Sequence, residues 1–200
     1  MEKTEIEKKF DTLVSHIFTF FKPLGYKKKG NNFRFYNKEI EFGKIVNFQK
    51  SMYYGKQHIH FTVNIGVYFA DYEYYMRNKK SRENFIEPSC AIRYRIGRLN
   101  NYECDKWYDL NDETDFEKIK EKLARDFEKI ISYFNKIKTK EDVINQIIIS
   151  GSVDYGTIKT LFYNEQKERA LNLLEREMKR ANEFYKATLE GLKQELVHNE

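Results

Sequence analysis

Two hundred residues, 40% hydrophobic and 34% charged, suffice for one domain with a sizeable core, or one domain with a helical extension. A formal net charge of +5 is too small to mark a nucleic-acid binder unless the basic residues cluster. Two cysteines, Cys90 and Cys104, cannot staple a fold, and no apolar run has the length a membrane span requires.

The opening stretch MEKTEIEKKFDTL carries acids throughout and no apolar leader core, so a cytoplasmic protein with reduced thiols is expected. Lys is preferred over Arg, and Asn, Ile, Phe and Tyr are abundant, a usage that points to an AT-rich bacterial genome. Thr4 with Glu7 three residues later forms a capping box. Ile6, Phe10, Leu13, Val14, Ile17, Phe18 and Phe21 follow at helical spacing. Pro23 and Gly25 predict that this helix ends between Phe21 and Gly25.

Three consecutive antiparallel strands are predicted between Tyr26 and Ala70. The first, Asn32 to Tyr36, follows a run of three lysines, Lys27 to Lys29, read as a solvated turn. In the second, the even positions Ile40, Phe42, Val46 and Phe48 are apolar; in the third, the odd positions Ile59, Phe61, Val63, Ile65, Val67 and Phe69 are. Such alternation marks half-buried strands, because successive side chains point to opposite faces. A turn at Tyr54-Gly55 would pair Phe48 with Phe61 and Val46 with Val63, putting both apolar sets on one face. The other face then carries Asn47, Gln49, Ser51, His58, His60, Thr62 and Asn64.

From Asp71 to Ser89 the pattern lapses into a long polar excursion with one helical turn. A fourth strand, AIRYRIGRL, sets Arg93 and Arg95 on one side, with Gly97 as a bulge, and DKWYDL supplies a short fifth strand. The remainder is helical. Thr114 with Glu117 caps a helix to Lys138, Thr139 with Asp142 caps another to Ile149, and a short helix spans Thr157 to Tyr163. One long helix is predicted from Asn164 to Val197, with a heptad-like seam suited to a homodimer.

The segments LGYKKKGNNFRF, VNFQKS, FTVNIGVYF, RYRIGRL and DKWYDL, in that order, resemble an uncharacterised bacterial family, domain of unknown function 4304. The resemblance covers roughly Phe10 to Leu110 and departs mildly at Tyr26, where the family has Phe. It implies an α+β fold in a bacterial cytosolic protein and brings no activity, cofactor or catalytic residue with it.

The polar sheet face is the sharpest candidate site. Asn47, Gln49, His58, His60 and Asn64, joined by Arg93 and Arg95, can donate and accept hydrogen bonds toward an anionic or polar ligand. The bland alternative is a solvated face or one packed beneath helices. His58-x-His60 has a spacing that metal sites use, but no third ligand stands at motif spacing, so no metal site is predicted. No GxSxG, GxGxxG, CxxC or HExxH pattern occurs, so no catalytic residue and no cofactor are assigned, and an enzyme is unsupported.

The expectation is therefore an α+β fold with an antiparallel sheet of four to five strands over residues 1–110. The first helix packs on one face, and residues 111–200 form a helical region packed on the same core. The expected function is non-catalytic binding of another protein or a small polar or anionic ligand through the polar face and the Asp71 to Ser89 loop, with no membrane partner. Nucleic-acid or phosphate binding through Arg93, Arg95, Arg98 and the lysine run is the alternative. Basic residues converging on one surface would favour that alternative; scattered ones would favour the first.

Overall fold

The computed structural model describes residues 3–52, 57–99, 105–151 and 153–198. Helix α1 (Glu5–Phe21) begins at the Thr4–Glu7 capping box and runs into a 3₁₀ turn that Gly25 closes at φ 84°. Strands β1 (Lys27–Lys29), β2 (Asn32–Asn37), β3 (Phe42–Lys50) and β4 (Ile59–Phe69) follow as an antiparallel meander. The lysine run is thus an exposed edge strand rather than a turn, a placement that discourages pairing with another chain. Helix α2 (Ala70–Arg77) then leads into the excursion, β5 (Ile92–Arg95), a helical turn α3 (Ile96–Leu99) and β6 (Tyr108–Leu110). Gly97 therefore lies in α3 and not in a bulge.

Among the described residues the sheet has six strands. β5 and β6 lie end to end along one edge of β4, with β5 against Asn64–Val67 and β6 against Ile59–Phe61, while β3 takes the other edge. The register of β3 on β4 differs from the expected one by two residues. Phe48 faces Val63 rather than Phe61, and Phe42 faces Phe69. A two-residue slip returns every side chain to the same face, so hydrophobic pattern fixes only the parity of the register. The expected turn at Tyr54-Gly55, which would set the rest, lies outside the described residues. Ile40, expected to be in β3, sits in the β2–β3 turn with Glu39 and Glu41.

One face of the sheet is apolar and covered by α1 and α4 (Phe116–Asn135). Phe10 meets Phe61 edge-on at 5.2 Å, Phe127 of α4 stacks on Phe48 at 5.5 Å, and Phe21 closes the layer against Phe127 at 5.7 Å. Asp115, not Thr114, caps α4; the Thr114 hydroxyl is turned toward Asn111 instead. The Thr139–Asp142 box does cap α5 (Lys140–Ser150), and Gly151 ends it in the left-handed region.

Helix α6 (Tyr155–Tyr163) packs on α2, and the chain ends in α7 (Lys167–Met178) and α8 (Glu183–His198). The expected single helix from Asn164 to Val197 is thus two. Asn182 accepts from the Tyr185 amide at 2.9 Å and restarts the helix, a side-chain cap that heptad spacing does not register. Ala170 and Leu174 of α7 and Leu189, Leu192 and Leu196 of α8 are buried in the same apolar cluster as the sheet. The single long helix on whose seam a dimer was expected is therefore two shorter ones.

Two departures from pattern carry energetic consequences. Lys44 interrupts the apolar face of β3, ringed by Phe35, Phe42 and Phe134. Its ammonium donates to the Phe134 carbonyl at 2.7 Å, at the C-terminal end of α4 where positive charge is favoured. Burial pushes this amine down to about 8, Lys138 adds to the shift and Asp142 opposes it. In the unfolded chain it titrates near its ordinary value of about 10.4. The charged form thus burdens the fold fully below pH 8, and the burden is shed as pH rises from about 8 to about 10.5. Lys44→Met should stabilise the protein at pH 7 by about 1–3 kcal/mol and flatten that rise. The Phe134 carbonyl would keep the Ile137 N–H. Thermal unfolding between pH 7 and 10 measures both, and unchanged pH dependence would show that Lys44 is not the titrating group.

The second departure concerns the opposite face, where Gly43 and Gly66 leave room for Phe85 and Cys90 of the excursion. A Cβ on Gly66 would come within 2.5 Å of the Cys90 sulfur. Gly66→Ala should cost about 1–3 kcal/mol in denaturant unfolding, and a Cys90→Ala background should recover part of it.

Candidate functional site

The non-apolar face is divided between two environments. Toward the Tyr68 end of β4, the excursion folds back across the sheet. Ile45, Tyr68, Ala70, Phe85 and Cys90, with Tyr36 alongside, form a second small core. Tyr68 stacks on Phe85 at 4.4 Å. Arg34 donates to the Phe85 carbonyl at 2.6 Å, and Arg82 joins the fully buried Glu73 at 2.7 Å, so the excursion is pinned at both ends. Burial pushes the Cys90 thiol up, keeping it protonated and inert. Phe85 and Cys90 of the excursion thus serve packing, while Tyr74, Met76 and Ile86 remain exposed.

Toward the His60 end, the face keeps its polar residues. Pairing aligns Lys29, Asn32, Asn47, Asn64 and Arg95 in one row across five strands. At the usual strand spacing such a row is about 19 Å long. The amides bond to one another: Asn47 donates to Asn32 at 2.9 Å, and Asn64 donates to Asn47 at 3.2 Å and to Gln49 at 2.7 Å. Asn64 is only 7% exposed, whereas Asn47 is half-buried and Gln49 exposed. Thr62, on the same face, is fully buried and donates to the Lys106 carbonyl at 2.8 Å. The segment before β6 crosses over it.

That segment brings in residues that sequence spacing did not assign. Trp107 lies flat on the His60 ring, with centroids 4.7 Å apart and planes 7° from parallel. The Arg95 guanidinium stands 5.6 Å from the same indole and pairs with Asp105. Asp109, directly opposite His60 on β6, meets His58 Nε2 and His60 Nδ1 through one carboxylate oxygen at 2.7 Å each. Burial works to raise the Asp109 carboxyl, but the bonds from His60 and His58 outweigh it and hold it below the ordinary range. Of the expected site residues, Asn47, Gln49, Asn64, His60 and Arg95 are gathered here, with His58 at the margin.

Arg93 is set apart. It pairs with Glu87 at 2.7 Å and borders a cleft of about 480 Å³ with Arg77, Arg98 and Asp154. The lysine run of β1 lies at the opposite edge of the sheet from β5. The basic residues therefore do not form one surface. Only the tryptophan signalled in advance that the β6 segment mattered; its neighbours Asp105 and Asp109 looked like ordinary loop and strand carboxylates.

The amide row has a stability consequence. Asn64→Ala removes two donors from a nearly buried position and should cost about 1–3 kcal/mol in urea unfolding. A loss under about 0.5 kcal/mol would mean that water replaces both bonds without penalty.

No helix among the described residues is long and apolar enough to cross a membrane. No curated protein and no solved structure matches the chain. A family model described as Domain of unknown function (DUF4304) matches residues 17–147, a span that takes in the whole sheet, both halves of its polar face, and helix α4. The strands that build the site are thus the part the family shares, and the chain belongs to the DUF4304 family.

Proposed function

We propose that this protein is a cytoplasmic bacterial binding module, without catalysis of its own, that holds a polar partner on the open half of its sheet. The partner is a protein segment or a small molecule bearing carboxylate or amide groups. The observation that carries this reading is the convergence of the Asn47–Gln49–Asn64 amides with Arg95 and the Trp107–His60 stack. Amides supply paired donors and acceptors, Arg95 supplies a planar fork for a carboxylate, and the indole offers an apolar wall beside them. Arg95 already holds Asp105, so an incoming carboxylate would exchange with that acid rather than meet a bare cation.

A phosphate-bearing ligand is the second reading, favoured by the cleft where Arg77, Arg93 and Arg98 meet. The separation of this cleft from the β1 lysines by the intervening strands argues against an extended nucleic-acid track.

Trp107 is the sole tryptophan, so its emission reports on the site directly. Titration with citrate, glutamate, inorganic phosphate and single- and double-stranded oligonucleotides, at about 50 mM and about 200 mM salt, separates the readings. A carboxylate response abolished by Arg95→Ala and retained in Arg93→Ala is expected, with no oligonucleotide binding at either salt. Oligonucleotide binding whose salt dependence flattens in the Arg93→Ala, Arg95→Ala double variant would overturn the proposal.

A further inference from the structure

His60 on β4 and His58, the residue just before that strand, present two imidazoles, and sequence spacing offers them no third ligand. The sheet supplies one from 49 residues away: Asp109 Oδ1 lies 2.7 Å from His60 Nδ1 and 2.7 Å from His58 Nε2. All three donor atoms fall within 4.8 Å of one another. Zinc bonds of about 2.0–2.1 Å in tetrahedral geometry separate neighbouring ligand atoms by about 3.3 Å, a spacing that small side-chain rotations reach from here. Trp107 fixes the plane of the His60 ring by stacking, and His58 stands edge-on to His60 at 6.4 Å. The side chains of His58, His60 and Asp109 are 33%, 20% and 54% exposed, so an ion has an entry path and room for further ligands.

We propose that His58, His60 and Asp109 form a binding site for a divalent transition metal, with Zn²⁺ the best match to two imidazoles and one carboxylate. Three protein ligands leave at least one position for water or a ligand atom, as in sites that exchange their fourth ligand. His60 comes from β4, His58 from the residue just before that strand and Asp109 from β6, so the ion would cross-link the short strand to the sheet. The competing role is a plain hydrogen-bonded bridge in which Asp109 joins two imidazoles. This inference does not rest on the binding reading above, because it concerns the ion alone.

The test uses the full, untagged chain with Zn²⁺ or Cu²⁺ and no other ligand. Cu²⁺ bound to His60 lies against the indole stacked on that ring, so saturable quenching of Trp107 at one ion per chain is expected. Zn²⁺ in large excess should compete with the tighter-binding Cu²⁺ for the same site and restore emission. Zn²⁺ should also raise the melting temperature, since it binds the folded state selectively. His58→Ala and Asp109→Asn should each weaken binding by about tenfold or more, the scale at which even residues supporting metal ligands act. His16→Ala, on α1, should leave binding unchanged. Folding of each variant is checked by circular dichroism. Absence of a saturable response, or parental affinity in folded Asp109→Asn and His58→Ala variants, would overturn the site and leave the hydrogen-bonded bridge.

Discussion

The pairing of β3 with β4 is the constraint on which the other elements depend. Nine residues of β3 meet nine of β4 in unbroken antiparallel register, from Phe42 opposite Phe69 to Lys50 opposite Phe61. This ladder sends Phe42, Val46, Phe48, Phe61, Val63, Ile65, Val67 and Phe69 to one face, where α1 and α4 cover them. Burial of aromatic and aliphatic surface there supplies the driving force for the domain. Lys44, a buried charge among these positions, is accommodated because its ammonium reaches the carbonyl end of α4.

The same ladder governs the opposite face, where residue size decides what happens. At Gly43 and Gly66 the sheet surface is bare backbone, so Phe85 and Cys90 settle directly onto it. Two rows further along, the face carries amides, whose hydrogen-bonding groups are better served by each other, by Arg95 or by water than by an apolar cover. One sheet face thus holds a packed half and a polar half. The boundary follows side-chain identity along β3 and β4, not a break in the strands.

The polar half acquires its chemistry from β6. β5 and β6 share one edge of β4 end to end, and the residues just before β6 lie against the polar face. Asp105, Lys106 and Trp107 there meet Arg95, Thr62 and His60, and Asp109 meets the two histidines. Each contact couples residues roughly ten to fifty positions apart. Short-range spacing cannot encode such a cluster, and so the histidine pair looked isolated in the linear chain.

Local rules in the sequence determined much of this protein. Capping at Thr4 and Thr139, termination at Gly25 and Gly151, and the alternating faces of β3 and β4 each depend on interactions within a few residues, or on a period of two. The amide-rich face was legible on the same grounds. The tertiary structure alone decided the rest. It chose between registers differing by two residues, which alternation leaves equivalent. It capped α4 at Asp115 and split the last helix at Asn182, where a side-chain cap and packing against α6 and the shared core outweigh a heptad pattern that could equally run on. It also buried Thr62, separated Arg93 from Arg95 by their carboxylate partners, and delivered Asp109 to His58 and His60. Those outcomes depend on contacts between distant segments, whose energies exist only once the sheet has closed around β4.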